Sequence, residues 1–228
     1  MVATWQASQR VIDYSATVFR SLLTALSRPG DILTMPAPDA LGGIPYGDNA
    51  SDVDAISADP YNRYALGVLA TLLDPETTFV LGVASGWLER ETSLSRWLQR
   101  FTGARMVPPS RADFALCLDA GSGARLADLP QGRDAEPEDS ATALIAVSHI
   151  SLHPESAATT LELRGPGIRE TTTLAITGLP EATLEAIDST RRVYPLGVDV
   201  FLIDGQGRSV GLPRTTRVSM VSLPLEEG

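Results

Sequence analysis

Arg214-Thr215-Thr216 sets one guanidinium beside two hydroxyls, directly after Pro213. That is the donor chemistry of an oxyanion site. One charge-assisted hydrogen bond contributes about 1.5–3 kcal/mol and a neutral one about 1. The three donors together reach about 4–5 kcal/mol, which corresponds to millimolar affinity. A phosphorylated ligand therefore needs more donors, from elsewhere in the fold or from a partner chain. The plainer reading is a strand-end arginine paired with a carboxylate, beside two threonines chosen for β propensity. Asp199 fits that reading as a buried carboxylate satisfied by Arg214 or by backbone amides. Gly165-Pro166-Gly167 is the other segment that could approach an anion, through Gly165 and Gly167. It lacks the spacing of a dinucleotide fingerprint and precedes Ile168-Arg169-Glu170 and a strand, so its default meaning is a tight turn.

The remaining chemistry is sparse. His149 and His153 are the only histidines, four apart, with Glu155 close by. Zinc takes three or four ligands in defined geometry and no further cluster offers itself, so no metal site and no catalytic residue is assigned. Cys117 is the single cysteine, within Phe114-Ala115-Leu116-Cys117-Leu118, and reads as a small buried hydrophobe. All 18 basic residues are arginine. Without lysine the chain can form no Schiff base with pyridoxal phosphate and has no phosphate-loop lysine. A net charge of −10 works against nonspecific nucleic-acid binding.

The elements that position these residues follow from periodicity. Val198, Val200 and Leu202 alternate with Asp199, Phe201 and Ile203, so most positions are apolar on both faces, as in an interior strand. Asp204-Gly205-Gln206-Gly207 is a reversal, and Val210 to Val218 is expected to return as its partner strand, with Pro213 at an edge or bulge. Further strands are expected at Thr78–Val83, Ala112–Leu118, Ala141–Val147, Thr159–Arg164 and Thr171–Thr177. Val11 to Ser27 is the clearest helix, with Val11, Tyr14, Val18, Leu22 and Leu26 inward and Phe19 and Leu23 widening the stripe. Asp59-Pro60 starts a second helix, through Leu73. Thr92 or Ser93 caps a third, with Leu94, Trp97, Leu98 and Phe101 inward and Gly103 closing it. Pro180 to Arg192 is a fourth, with two arginines in its last turn. Residues 36–57 and 119–140 read as loop excursions, the second with room for one helical turn. The expectation is one α/β domain over residues 1–228, a three-layer α/β/α sandwich around a mixed sheet. With no apolar run of eighteen residues and no signal-peptide layout, it is expected to be soluble and cytoplasmic, with no membrane partner.

Four blocks then carry a family resemblance. They are Phe19-Arg20-Ser21-Leu22-Leu23-Thr24-Ala25-Leu26-Ser27-Arg28-Pro29-Gly30, Leu163-Arg164-Gly165-Pro166-Gly167-Ile168, Pro195-Leu196-Gly197-Val198-Asp199 and Leu212-Pro213-Arg214-Thr215-Thr216-Arg217-Val218. Together they resemble PhnH, the H subunit of the bacterial carbon–phosphorus lyase system for phosphonate use. The four blocks leave residues 36–57 and 119–140 uncovered. The resemblance implies a domain shaped like pyridoxal-phosphate-dependent transferases but without the cofactor. It implies an accessory subunit acting with G and I subunits to join a phosphonate to the ribose of ATP, giving ribose 1-phosphonate 5-triphosphate. A J subunit then breaks the carbon–phosphorus bond. It further implies a core complex of these subunits and a homodimer when the H subunit is alone. Two other readings stay open: a stand-alone phosphonate- or nucleotide-binding protein, and an architectural scaffold.

Overall fold

The structure, a computed structural model, describes residues 2–42, 44, 60–153 and 158–221. Its centre is a mixed sheet. In chain order the contributing strands are β1 (Leu33–Thr34), β2 (Thr78–Val83), β3 (Gly86–Trp87), β4 (Arg105–Met106), β5 (Phe114–Cys117), β8 (Thr142–Val147), β12 (Asp199–Asp204) and β13 (Arg208–Leu212). Spatially they run β1-β13-β12-β8-β5-β2-β3, with β4 also pairing β2. β2, β4, β5, β8 and β12 are parallel, while β13, β1 and β3 run against their neighbours. Alternation decides what each face holds. Val200 and Leu202 lie on one face with Ala143, Ile145 and Ala115. Phe201 and Ile203 lie on the other with Leu144, Leu116 and Phe79.

The second of these faces is covered by helices: α1 (Val2–Ser27), α2 (Pro60–Leu72) and α3 (Ser93–Thr102). α1 begins earlier than periodicity indicates and buries Tyr14, Val18, Leu22 and Ala25. Phe19 and Leu23 do not widen that stripe; they are 49% and 53% exposed, because the sheet meets only one narrow side of the helix. Of the two cap candidates of α3 the structure selects Thr92, and Ser95 adds a reciprocal bond. The Thr92 hydroxyl accepts from Ser95 N, the Ser95 hydroxyl accepts from Thr92 N, and Gly103 closes the helix at φ 81°. Phe101 is not inward; it stacks on Trp97 with ring centroids 5.2 Å apart. The expected Asp59 cap lies outside the described residues, as does most of the 36–57 excursion, of which Pro38–Leu41 forms a short 3-10 turn.

The first face is covered differently from the expected helical layer. A four-stranded antiparallel sheet packs there, ordered β14 (Arg217–Met220), β10 (Ala158–Arg164), β11 (Thr172–Thr177) and β9 (His149–Ser151). Leu161, Leu163, Leu174 and Ile176 supply its inward residues. Beside it lie α4 (Glu181–Ser189) and a 3-10 segment, Ala120–Asp128. The molecule is therefore mixed α/β with a large mixed sheet, and its second outer layer is part sheet, part helix.

Two further expectations change. Val210 to Val218 is not one strand: the chain leaves the large sheet after Leu212, turns, and re-enters the small sheet as β14. Proline at 213 has no amide to continue the ladder, so the pairing stops there. Residues 119–140 are more than a loop with one helical turn: besides the 3-10 segment they hold a hairpin of β6 (Gln131–Arg133) and β7 (Glu136–Ser140).

Candidate functional site

Antiparallel pairing of Val200 with Leu212 brings the start of β12 beside the exit of β13. Thr216 N donates to Pro213 O at 2.8 Å, closing a turn with Arg214 and Thr215 at its corner. Asp199 and Arg214 meet across this junction. Arg214 Nη2 donates to Asp199 Oδ2 at 2.7 Å and Nε to Oδ1 at 3.3 Å, while the Arg214 backbone N–H reaches Oδ1 at 2.7 Å. Nη1 donates to Pro137 O at 2.7 Å, in the β6–β7 hairpin. Every nitrogen of this guanidinium thus has a protein acceptor. Arg214 holds the turn and the hairpin to β12, and the hairpin that does so was expected to be loop.

A second arginine completes the junction. Arg191 follows the end of α4, and donates from Nη2 to Leu212 O at 2.6 Å and from Nη1 to Thr216 O at 3.1 Å. Its guanidinium is enclosed, and burial lowers its pKa to about 10, against the opposing pull of Asp199 and Asp188. It stays cationic at neutral pH. Two donors remain without a protein acceptor: Arg191 Nε and the hydroxyl of the buried Thr216. A buried donor left unmatched costs about 1–3 kcal/mol.

Around this junction lies a pocket of about 530 Å³. Four arginines line it, Arg191, Arg192, Arg214 and Arg217, with Thr216 and Tyr194. Asp188 is the one carboxylate among the described residues lining it. Asp188 reaches Arg192 at 3.7 Å, and both side chains are largely exposed. Arg217 is exposed and pairs with no carboxylate among the described residues. Tyr194 is 72% exposed.

Two glycines permit the close packing. Gly165 has φ 147°, and a Cβ there would stand 2.8 Å from Thr215 O. Gly197 has φ 138°, and a Cβ there would stand 2.6 Å from Thr190 O and 3.2 Å from Arg214 Cβ. Any other residue at either place forces the walls apart. Of the sequence candidates, Asp199, Arg214, Thr215, Thr216 and Gly165 therefore come together. Gly167 does not: at φ 84° it packs on Ser27 O and Pro29, at the end of α1. Arg191, Arg192, Tyr194 and Arg217 were missed. The first two read as last-turn helix residues, but α4 ends at Ser189 and releases them to the pocket. Only Arg217 carried a signal, as the basic residue just past the two threonines.

The pocket lies where β12 and β8 begin. Ligands of open α/β sheets gather instead beyond the carboxyl ends of the parallel strands. At that opposite edge the buried Asp204 accepts from Arg208 Nε at 2.7 Å, from the amides of Gln206 and Arg208 at 2.9 Å, and from Ile150 N at 3.1 Å. The Arg208 guanidinium also contacts His149 Nδ1. His149 is thus packed into a strand, on β9, while Glu155 lies outside the described residues. No group of three or more metal-ligating side chains occurs among the described residues. A second pocket, of about 620 Å³, sits at the β2 edge between Trp87, Met106 and Pro108, with Arg125 on its wall.

Fold and site define a mixed α/β protein that gathers cationic side chains where two sheets exchange a strand. Residues 7–219 match the family model described as bacterial phosphonate metabolism protein, PhnH. The chain belongs to that family. It is also 31% identical over 123 residues to HtxG of Stutzerimonas stutzeri, a protein whose name places it as a C-P lyase subunit. That match covers 53% of this chain and 58% of HtxG.

Proposed function

We propose that the chain is an accessory subunit of a carbon–phosphorus lyase assembly in organic phosphonate catabolism. It works with G and I subunits in joining a phosphonate to the ribose of ATP, with adenine displaced and ribose 1-phosphonate 5-triphosphate formed. A J subunit acts afterwards on the carbon–phosphorus bond. The protein is a cytoplasmic single domain, a homodimer when alone, with a body like that of pyridoxal-phosphate-dependent transferases but no lysine for the cofactor. The observation that carries this reading is the family match across residues 7–219, and the name of HtxG supports it. The site chemistry agrees with an accessory role. Its best-placed arginine is bound to Asp199, no histidine is among the described residues lining the arginine pocket, and the one carboxylate there, Asp188, faces Arg192. Coexpression with G, I and J subunits is expected to give one co-eluting complex. Separate elution of this chain under those conditions contradicts the proposal.

A further inference from the structure

We infer that the pocket between α4 and the β13–β14 turn binds an oxyanion of the phosphoryl or phosphonyl class, gripped by Arg192 and Arg217 against the wall of Arg191 and Thr216. The inference rests on the proposed function only for the source of that anion, a phosphonate or a nucleotide. Its first ground is charge. The molecule carries −10, yet this one surface collects four arginines. Arg214 is matched by Asp199 and Arg192 loosely by Asp188; Arg191 donates only to carbonyl oxygens while feeling Asp199 and Asp188 through space, and Arg217 meets no carboxylate among the described residues. Among the described residues four guanidinium charges here face two carboxylates, Asp199 and Asp188, so the pocket keeps a net positive charge that an anion offsets.

The second ground is the pair of orphaned donors. Arg191 and Thr216 line the pocket, and each keeps one buried donor, Nε and the hydroxyl, without a protein acceptor just behind that wall; a tetrahedral oxyanion presents several acceptor oxygens at once. Guanidinium groups suit phosphate and phosphonate because two parallel N–H bonds meet two oxygens. Size agrees as well: the enclosed volume of about 530 Å³ lies within the ordinary range for small-molecule sites. Tyr194 on the rim offers an aromatic face to whatever the anion is attached to. In this arrangement Asp199 and Arg214 shape the wall and do not touch the ligand. This assigns the grip to residues other than Arg214, the one the sequence favours.

The test is calorimetry on the full chain at low salt, with ATP, inorganic tripolyphosphate and methylphosphonate as separate titrants. At least one should bind at about 100 μM or tighter, and the Arg192→Ala/Arg217→Ala double variant should weaken it by about tenfold or more. Both side chains are exposed, so the variant should melt with the wild type. ATP binding that weakens in Tyr194→Ala assigns the nucleotide as source; methylphosphonate binding assigns the phosphonate. No heat from any titrant at millimolar concentration overturns the inference, as does an affinity unchanged in the double variant. Binding of a glutamate-rich peptide in preference to all three also overturns it. Failure here is separable from failure of the assembly reading, because co-elution of the wild-type chain with G, I and J subunits is read independently. A double variant that drops out of the complex while wild type binds no titrant marks the pocket as a protein-docking site, and sinks the inference.

Discussion

Replacing Asp199 by alanine strands the Arg214 guanidinium and removes the acceptor of the Arg214 amide at the same time. Breaking one side of a partly buried pair is expected to cost about 2–4 kcal/mol, read as a lower urea midpoint at unchanged slope. A second prediction concerns Cys117. Burial pushes its thiol up to about 12, the Asp119 charge acting the same way and Ser122 opposing. Between pH 9, its ordinary value, and about 12 the folded chain keeps a proton that the unfolded chain releases. Stability from this group is therefore complete below pH 9 and falls as pH rises, by up to about 1.4 kcal/mol per pH unit. Tyr14, raised by burial, adds in the same sense at higher pH, whereas Arg191, lowered to about 10, opposes it from there upward. Cys117→Ala should flatten the decline between pH 9 and 10, and the native thiol should resist iodoacetamide at pH 8. At this scale the residue types were legible from the sequence, but their partners were not. Nothing in the spacing of Asp199 and Arg214 shows that the arginine is fully occupied, because its last acceptor, Pro137 O, comes from a segment 77 residues away.

The strand that splits at Pro213 is the element on which the site depends. β13 ends in the large sheet and β14 begins in the small one, so the four residues between them become a turn exposed to a pocket. Gly165 is packed against that turn, and Gly165→Val is expected to separate the two sheets by displacing Thr215. It should lower the melting temperature by several degrees, about 2–4 °C per kcal/mol in a chain of this size, and weaken any oxyanion bound at Arg217. By contrast, the cap of α3 is local. Thr92→Ala should cost about 1 kcal/mol and leave ligand affinity unchanged, since α3 lies across the large sheet from the pocket. Local signals of this kind were readable: Thr92 as one of two cap candidates, the Gly103 stop and the strand Thr78–Val83 stand where residue types and periodicity put them. The β6–β7 hairpin was not, because Gln131–Arg133 and Glu136–Ser140 are polar, charged and short, with no alternating apolar face to announce a strand.

Across the whole molecule, sheet order separates two edges of different character. Where β12 ends, the sheet edge is closed by Asp204 and its four donors; past the ends of β2 and β4 lies the pocket beside Trp87, and the opposite edge, where β12 begins, carries the arginine pocket. Raising salt from 50 to 200 mM should weaken oxyanion binding severalfold while leaving the melting temperature nearly constant, because Arg192 and Arg217 are exposed and the core is apolar. Composition, the absence of lysine and the period of each segment determined the α/β class and the interior strands. They also determined the absence of an amine nucleophile, since those properties belong to residues taken singly or to their near neighbours. What only tertiary structure decided is which cations remain unmatched. That depends on a strand changing sheets, on where α4 stops and on a distant hairpin carbonyl, and such pairings across long separations leave no periodic trace in the chain.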